Sequence, residues 1–199
     1  MALSSAPDAR LRIALFGGTY DPIHNAHLKI AREAARQQHL SRVLFIPAAK
    51  PPHKSGVTRV PYENRLRMVE LACQGEPLFE ASRLEAGAQN SYSIETIERV
   101  RATLGKNQDL FFLIGSDAFA EIRTWHRWQE VIRSVEFIVV SRPGCTYEVP
   151  DGARVDRLDN VNLPVSSSEI REKLATGDED VDVPQPVLQY IREHGLYRS

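Results

Sequence analysis

Two histidines, His24 and His27, stand three residues apart in the run Gly17-Gly18-Thr19-Tyr20-Asp21-Pro22-Ile23-His24-Asn25-Ala26-His27-Leu28. At a helix start that spacing lets both rings reach one point. Two imidazole donors aimed at one phosphorus suit phosphoryl or nucleotidyl transfer, where the catalyst mainly positions reactants and neutralises charge. The neighbours favour an anion. Gly17 and Gly18 let backbone approach it, Pro22 fixes the chain before the helix, and the helix start near Asn25 offers free N–H groups and a positive dipole end. Each feature alone has a plainer explanation: a capping or surface pair of histidines, a turn aspartate, a chance glycine pair. Together, between an apolar strand and a helix, they favour function. Zinc is disfavoured because no Cys or carboxylate set stands at ligand spacing and the third histidine, His53, lies in a separate loop, so no metal ligand is assigned. The dinucleotide fingerprint G-x-G-x-x-G does not follow the first strand either.

The elements that must position these residues alternate. Leu11 to Phe16 reads as a strand ending in Gly17-Gly18, and Lys29 to Gln38 as a helix with Ile30, Ala31, Ala34 and Ala35 on one face. Val43 to Pro47 is a second strand, followed by a polar loop through Thr58. A helix then places Tyr62, Leu66, Val69 and Cys73 together. Leu78 to Leu84 reads as a third strand and Ser93 to Leu104 as a helix closed by Gly105. Asp109 to Ile114 is an apolar strand ending at Gly115, Trp125 to Val135 a helical stretch, and Glu136 to Val140 a fifth strand before the turn Arg142-Pro143-Gly144. Two short helices close the chain, Ser167 to Ala175 and Pro184 to His194, each followed within two residues by glycine. Strands alternating with helices imply parallel βαβ units, hence an α/β, doubly wound parallel sheet of Rossmann-like type with a small C-terminal helical part. Ligands of such sheets sit beyond the strands' carboxyl ends where strand order reverses. The loops to examine are therefore Gly17 to His27 and Gly115 to Phe119.

Composition narrows the function class. The 199 residues are 42% hydrophobic and 26% charged, which suits one ordinary domain; we expect residues 11–199 to form it behind a flexible tail of residues 1–10. Lys plus Arg number 25 against 26 Asp plus Glu, so there is no basic surplus for a polymeric nucleic acid. No apolar run is long enough to span a membrane, and Met1 to Arg10 lacks the pattern of a secretion signal, so a cytoplasmic protein without a membrane partner is expected. The two cysteines, Cys73 and Cys145, suggest neither a disulfide framework nor zinc.

The run GGTYDPIHNAHL resembles the H-x-G-H signature of the nucleotidyltransferase superfamily, in the form found in the bacterial nicotinate mononucleotide adenylyltransferase family. Ser166-Ser167-Ser168-Glu169-Ile170-Arg171 is similar to that family's second signature, at the start of a C-terminal helix. Further family-like pieces are Pro51-Pro52-His53-Lys54, Ser91-Tyr92-Ser93, Gly115-Ser116-Asp117 and Thr124-Trp125, so the resemblance runs from Arg12 to about Tyr197. Ala26 departs from the signature, which has glycine there.

The resemblance implies transfer of the adenylyl group of ATP to nicotinate mononucleotide, releasing pyrophosphate, as a step of NAD synthesis. His24 and His27 would bond the ATP phosphates, with Gly17, Gly18 and Thr19 contacting nucleotide at the first turn. Ser167, Ser168 and Arg171 would hold the β- and γ-phosphates, against the plainer reading of a Ser167 or Ser168 helix cap with a surface arginine. Asp117 would hydrogen-bond the nucleotide. Mg²⁺ would arrive with ATP. Trp125 would stack on the pyridinium ring, Ser93 would bond its carboxylate, and His53 and Lys54 would meet the mononucleotide. A related transferase with another acceptor, phosphopantetheine or a polyol phosphate, and a non-catalytic nucleotide sensor are the alternatives; a homo-oligomer is left open.

Overall fold

A computed structural model describes residues 10–50, 58–104, 108–142, 144–159 and 165–198 of the chain. The expected tail, apart from Arg10, lies outside these residues. Among the described residues six strands form one wholly parallel sheet: β1 (Leu11–Gly18), β2 (Arg42–Pro47), β3 (Phe79–Ala81), β4 (Gln108–Gly115), β5 (Glu136–Val140) and β6 (Arg154–Leu158). Their spatial order is β3-β2-β1-β4-β5-β6. The reversal falls between β1 and β4, which pair with Leu15 opposite Phe112 and Phe16 opposite Leu113. The carboxyl ends of those two strands carry the two loops singled out from the sequence.

Seven α-helices among the described residues cover the sheet: α1 (Asn25–Gln37), α2 (Tyr62–Cys73), α3 (Ser93–Leu104), α4 (Ser116–Ala120), α5 (Trp128–Ser134), α6 (Ser167–Ala175) and α7 (Gln185–Glu193). Strand alternation sends successive side chains to opposite faces, and the core divides accordingly. Ala14, Phe16, Phe111 and Leu113 pack with α1, α2, α6 and α7. Ile13, Leu15, Phe112 and Ile114 pack with α3, α4 and α5. Each fully buried Leu, Ile or Phe removes enough apolar surface to contribute about 1.5–3 kcal/mol. The C-terminal helices are therefore part of the first layer, with Ile170, Val187 and Ile191 in the same cluster as α1.

Several boundaries differ from expectation for local reasons. The third strand spans only three residues; it ends where Ala86 N–H bonds the Arg83 carbonyl and Ala88 N–H that of Glu85, turning the chain. The sixth strand, Arg-Val-Asp-Arg-Leu, lies at the sheet edge with only Leu158 buried, so its charges hide the apolar signal. The stretch Trp125 to Val135 is not one helix: a 3₁₀ turn covers Ile122–Thr124, Trp125 is extended, and Arg127 in the left-handed region (φ 52°) starts α5 afresh. Helix α1 begins at Asn25, where the histidine run placed its start, with His24 in the cap position and His27 in the first turn. Among the described residues no helix is long and apolar enough to cross a membrane.

Candidate active site

The start of α1 holds the histidine pair. His24 occupies the cap position with an extended backbone (φ −142°, ψ 169°), and its N–H donates to His27 Nδ1 at 3.3 Å. A ring nitrogen that accepts carries no proton, so neutral His27 keeps its proton on Nε2, the atom directed away from the cap. The His27 ring is fixed by Phe16 and by the edge of Tyr20, at 5.9 and 5.1 Å between centroids. The His24 ring lies 3.8 Å from it. His24 is 5% exposed, and its Nδ1 has no hydrogen-bond partner among the described residues. Burial lowers its pKa to about 4, with Asp182 opposing and Arg142 adding to the shift, so His24 is a neutral imidazole at pH 7. The helix start forms with Ala26 in it, buried at 3% exposure.

The two glycines of the run have different reasons to be glycine. A Cβ at Gly18 would lie 2.8 Å from the Tyr20 ring, which is held over the turn because its hydroxyl donates to the Phe16 carbonyl at 2.6 Å. A Cβ at Gly17 would meet only Phe112, at 3.8 Å, an ordinary contact. Packing therefore demands glycine at 18 and leaves an exposed, uncrowded backbone at 17. Beneath them lies Arg65, 1% exposed, whose Nη1 donates to the carbonyls of Thr19 at 2.7 Å and Ala48 at 2.8 Å. It ties the turn after β1 to that after β2, and its burial lowers its pKa. Thr19 is thus held through its carbonyl, half-buried at the turn.

Both signatures meet at Asp21-Pro22. Ser167 Oγ donates to the Pro22 carbonyl at 3.0 Å, and Arg171 Nη1 to the Asp21 carbonyl at 2.7 Å. Arg171 Nη2 donates to Ser168 Oγ at 3.0 Å. The helix cap is neither Ser167 nor Ser168. Ser166 takes that role, its hydroxyl accepting from Glu169 N–H while Glu169 accepts from Ser166 N–H, both at 3.2 Å. This corrects the capping alternative. Ser167 spends its proton on Pro22 and acts as a link between signatures. Ser168 accepts from Arg171 and retains its own proton to donate.

The fourth strand delivers Asp117 on α4, exposed and ion-paired to Arg142 at 3.1 Å. Arg142 follows β5, and its N–H donates to the fully buried Ser116 Oγ at 3.1 Å. Since Arg142 also acts on the His24 pKa, the two strand-end loops share one electrostatic neighbourhood.

The other expected ligands form a second group. Trp125, half-buried, sets its ring edgewise to Phe112 at 5.9 Å, and Phe112 is the residue facing Gly17. Tyr92 and His126 stack at 4.5 Å, joining the segment before α3 to the one before α5. Ser93 is the first residue inside α3, because the Tyr92 carbonyl takes the first helical bond, from Thr96; its hydroxyl is not the cap. Lys50 N–H donates to Ser91 Oγ at 3.0 Å, which draws the loop after β2 to this edge. His53 and Lys54 lie outside the described residues. Sequence reasoning missed Arg65, Arg142 and the buried Glu85, which accepts from Thr96 Oγ1 at 2.8 Å and Ala49 N–H at 3.3 Å. A charged residue on an apolar helical face, as Arg65 is with Met68 and Val69 one turn on, was the available signal.

The parallel sheet thus carries paired imidazoles and an arginine–serine cluster at its reversal. Residues 15–173 match the cytidylyltransferase-like family model, and the chain belongs to that family. A protein of Solibacter usitatus described as a probable nicotinate-nucleotide adenylyltransferase is 59% identical over 187 residues, 94% of this chain and 100% of its own. One of Exiguobacterium sibiricum with the same description is 40% identical over 191 residues, covering 95% and 100%. By these relatives the chain belongs to the nicotinate-nucleotide adenylyltransferase family. The fold also matches the solved Plasmodium falciparum nicotinic acid mononucleotide adenylyltransferase complexed with NaAD, with TM-score 0.75 at 18% identity over 94% of this chain and 98% of that one.

Proposed function

We propose that this site transfers the adenylyl group of ATP to the 5′-phosphate of nicotinate mononucleotide, and that the residues gathered at the β1–β4 reversal carry the transfer. A phosphate oxygen of the mononucleotide attacks the α-phosphorus, the bond to the β-phosphate bridging oxygen breaks, and pyrophosphate leaves with that electron pair. No covalent enzyme intermediate is required. The carrying observation is the fixed Nε2–H of His27 beside neutral His24, both at the helix end where N–H groups face outward. They donate to non-bridging oxygens as charge grows there. Ser168 and Arg171 hold the β- and γ-phosphates, with Ser167 tying that helix to the histidine loop. Gly17, Gly18 and Thr19 pass beneath the nucleotide, and Asp117 hydrogen-bonds it beside Arg142.

The cation follows from charge. A triphosphate carries more negative charge than the Arg171 guanidinium balances, so the donor set fits a Mg²⁺ ion brought on the phosphates. Among the described residues no group of three or more His, Cys, Asp or Glu side chains could hold a metal by itself. When bound, the ion neutralises the leaving pyrophosphate; this chain's own groups bind and orient.

The acceptor end follows from the second group. Trp125, braced on Phe112, stacks with the pyridinium ring, and Ser93 with the N–H groups opening α3 receives the carboxylate. His53 and Lys54 contact the mononucleotide from the loop after β2. A carboxylate rewards these donors more than a neutral amide does, so the acid mononucleotide should be preferred. Pyrophosphate release from ATP with nicotinate or nicotinamide mononucleotide tests both statements. Faster release with the acid is expected; equal rates would refute the carboxylate contacts, and no release with either would refute the acceptor.

A further inference from the structure

The last turn of the chain reaches the site by a route no phosphate contact requires. Tyr197 Oη donates to Asp21 Oδ1 at 2.7 Å, across 176 positions of sequence. Its ring packs against the same apolar cluster as α1, and its backbone sits in the left-handed region (φ 65°), an uncommon setting for a residue with a side chain. The Asp21 carboxylate is 4% exposed, and its other oxygen accepts from Arg59 N–H at 2.7 Å. Both its partners are neutral donors. Two guanidiniums are nevertheless close enough to act on this pair, Arg65 and Arg171. Arg171 bonds the Asp21 carbonyl, not its carboxylate, and so keeps its charge for another anion.

We propose that Tyr197 is a positioning residue for adenylyl transfer: by satisfying Asp21 Oδ1 it keeps the carboxylate off Arg171 and leaves that guanidinium aimed with Ser168 at the polyphosphate. Without the phenol oxygen, Oδ1 is a buried acceptor on a charged group with no donor, which is costly. Arg171, whose Nη1 already bonds the Asp21 carbonyl at 2.7 Å, is a guanidinium toward which the carboxylate can turn. That pairing would spend the guanidinium's charge inside the protein. Burial, followed by the Asp21 charge, raises the Tyr197 pKa, so the phenol remains a donor through the alkaline range. The proposal rests on the assignment of Arg171 to the phosphates of ATP.

The test is a double-mutant cycle of Y197F and R171A in the full chain, assayed where circular dichroism shows every variant folded. Y197F is expected to raise KM for ATP roughly tenfold, the effect of losing about one charge-assisted contact, with KM for nicotinate mononucleotide unchanged. In the R171A background the same change should cost little. A Tyr197 that merely seals the core would lower Tm and leave both KM values alone, which overturns the proposal. An equal tenfold effect in both backgrounds overturns it too, while leaving Arg171 its role. Wild-type ATP kinetics in R171A alone would instead overturn the phosphate assignment and the proposal with it. Should Y197F not fold, fluorine NMR of the wild-type sequence carrying ring-fluorinated tyrosine replaces it. The Tyr197 resonance should move when ATP is added, and a stationary signal overturns the proposal.

Discussion

Acid should weaken this protein through His24. Burial holds the His24 pKa at about 4, against the ordinary value of 6.5 that it regains on unfolding. Between those values the unfolded chain binds a proton that the folded chain excludes. The stability that goes with neutral His24 is therefore complete above about pH 6.5 and declines as pH falls through about 4. The full difference corresponds to about 3 kcal/mol, of which about 2 kcal/mol is gone by about pH 5. Replacement by glutamine keeps a polar side chain of similar reach and removes the titration. Urea unfolding of wild type and H24Q at a series of pH values from about 8 to 5 isolates this group, because every other carboxylate and histidine cancels in the difference. With an m-value of about 2 kcal/mol/M, the gap between midpoints should change by about 1 M across the series. Wild type should lose ground to H24Q as the solution is acidified. Parallel profiles would mean that His24 is as well solvated as in the unfolded chain, and that its neutrality at the site has another origin.

Removing the His27 donor should be felt in turnover and hardly in folding. H27A is expected to lower kcat roughly 10²- to 10³-fold in a pyrophosphate-release assay, the scale for deleting one donor to a developing oxyanion; a variant within threefold of wild type would take His27 out of the transition state. The neighbouring glycines should separate stability from binding. G18A places a methyl 2.8 Å from the Tyr20 ring and should cost about 1–3 kcal/mol in a denaturation experiment. G17A meets nothing closer than 3.8 Å and should melt as wild type does while raising KM for ATP. If both melt alike and bind alike, Gly17 has no ligand above it.

Elements with strong periodicity were legible and weakly patterned ones were not. Helices α3 and α6 were readable to the residue, because their apolar faces and terminal signals agree. The edge strand β6 was invisible, since a strand with one buried side chain does not alternate in a way that stands out. Trp125 and Trp128 have helical spacing but belong to different elements, because Arg127 turns the chain between them. The serine run illustrates a different limit. Three adjacent serines before a helix look interchangeable as caps, and only the geometry shows Ser166 capping, Ser167 bridging to Pro22 and Ser168 paired with Arg171.

The linear order of residues was enough to propose the chemistry and its address: a histidine pair after a glycine turn, an arginine behind serines, and the strand ends where a doubly wound sheet takes its ligand. These are local patterns, set by what neighbours along the chain can do for a helix end or a turn. What tertiary structure decided was the electrical state of those groups. The neutrality of His24 comes from burial, the tautomer of His27 from a hydrogen bond at the start of α1, and the occupation of the Asp21 carboxylate from a tyrosine 176 residues away. Solvation and long-range partnership depend on the whole packed molecule, and no run of sequence contains them.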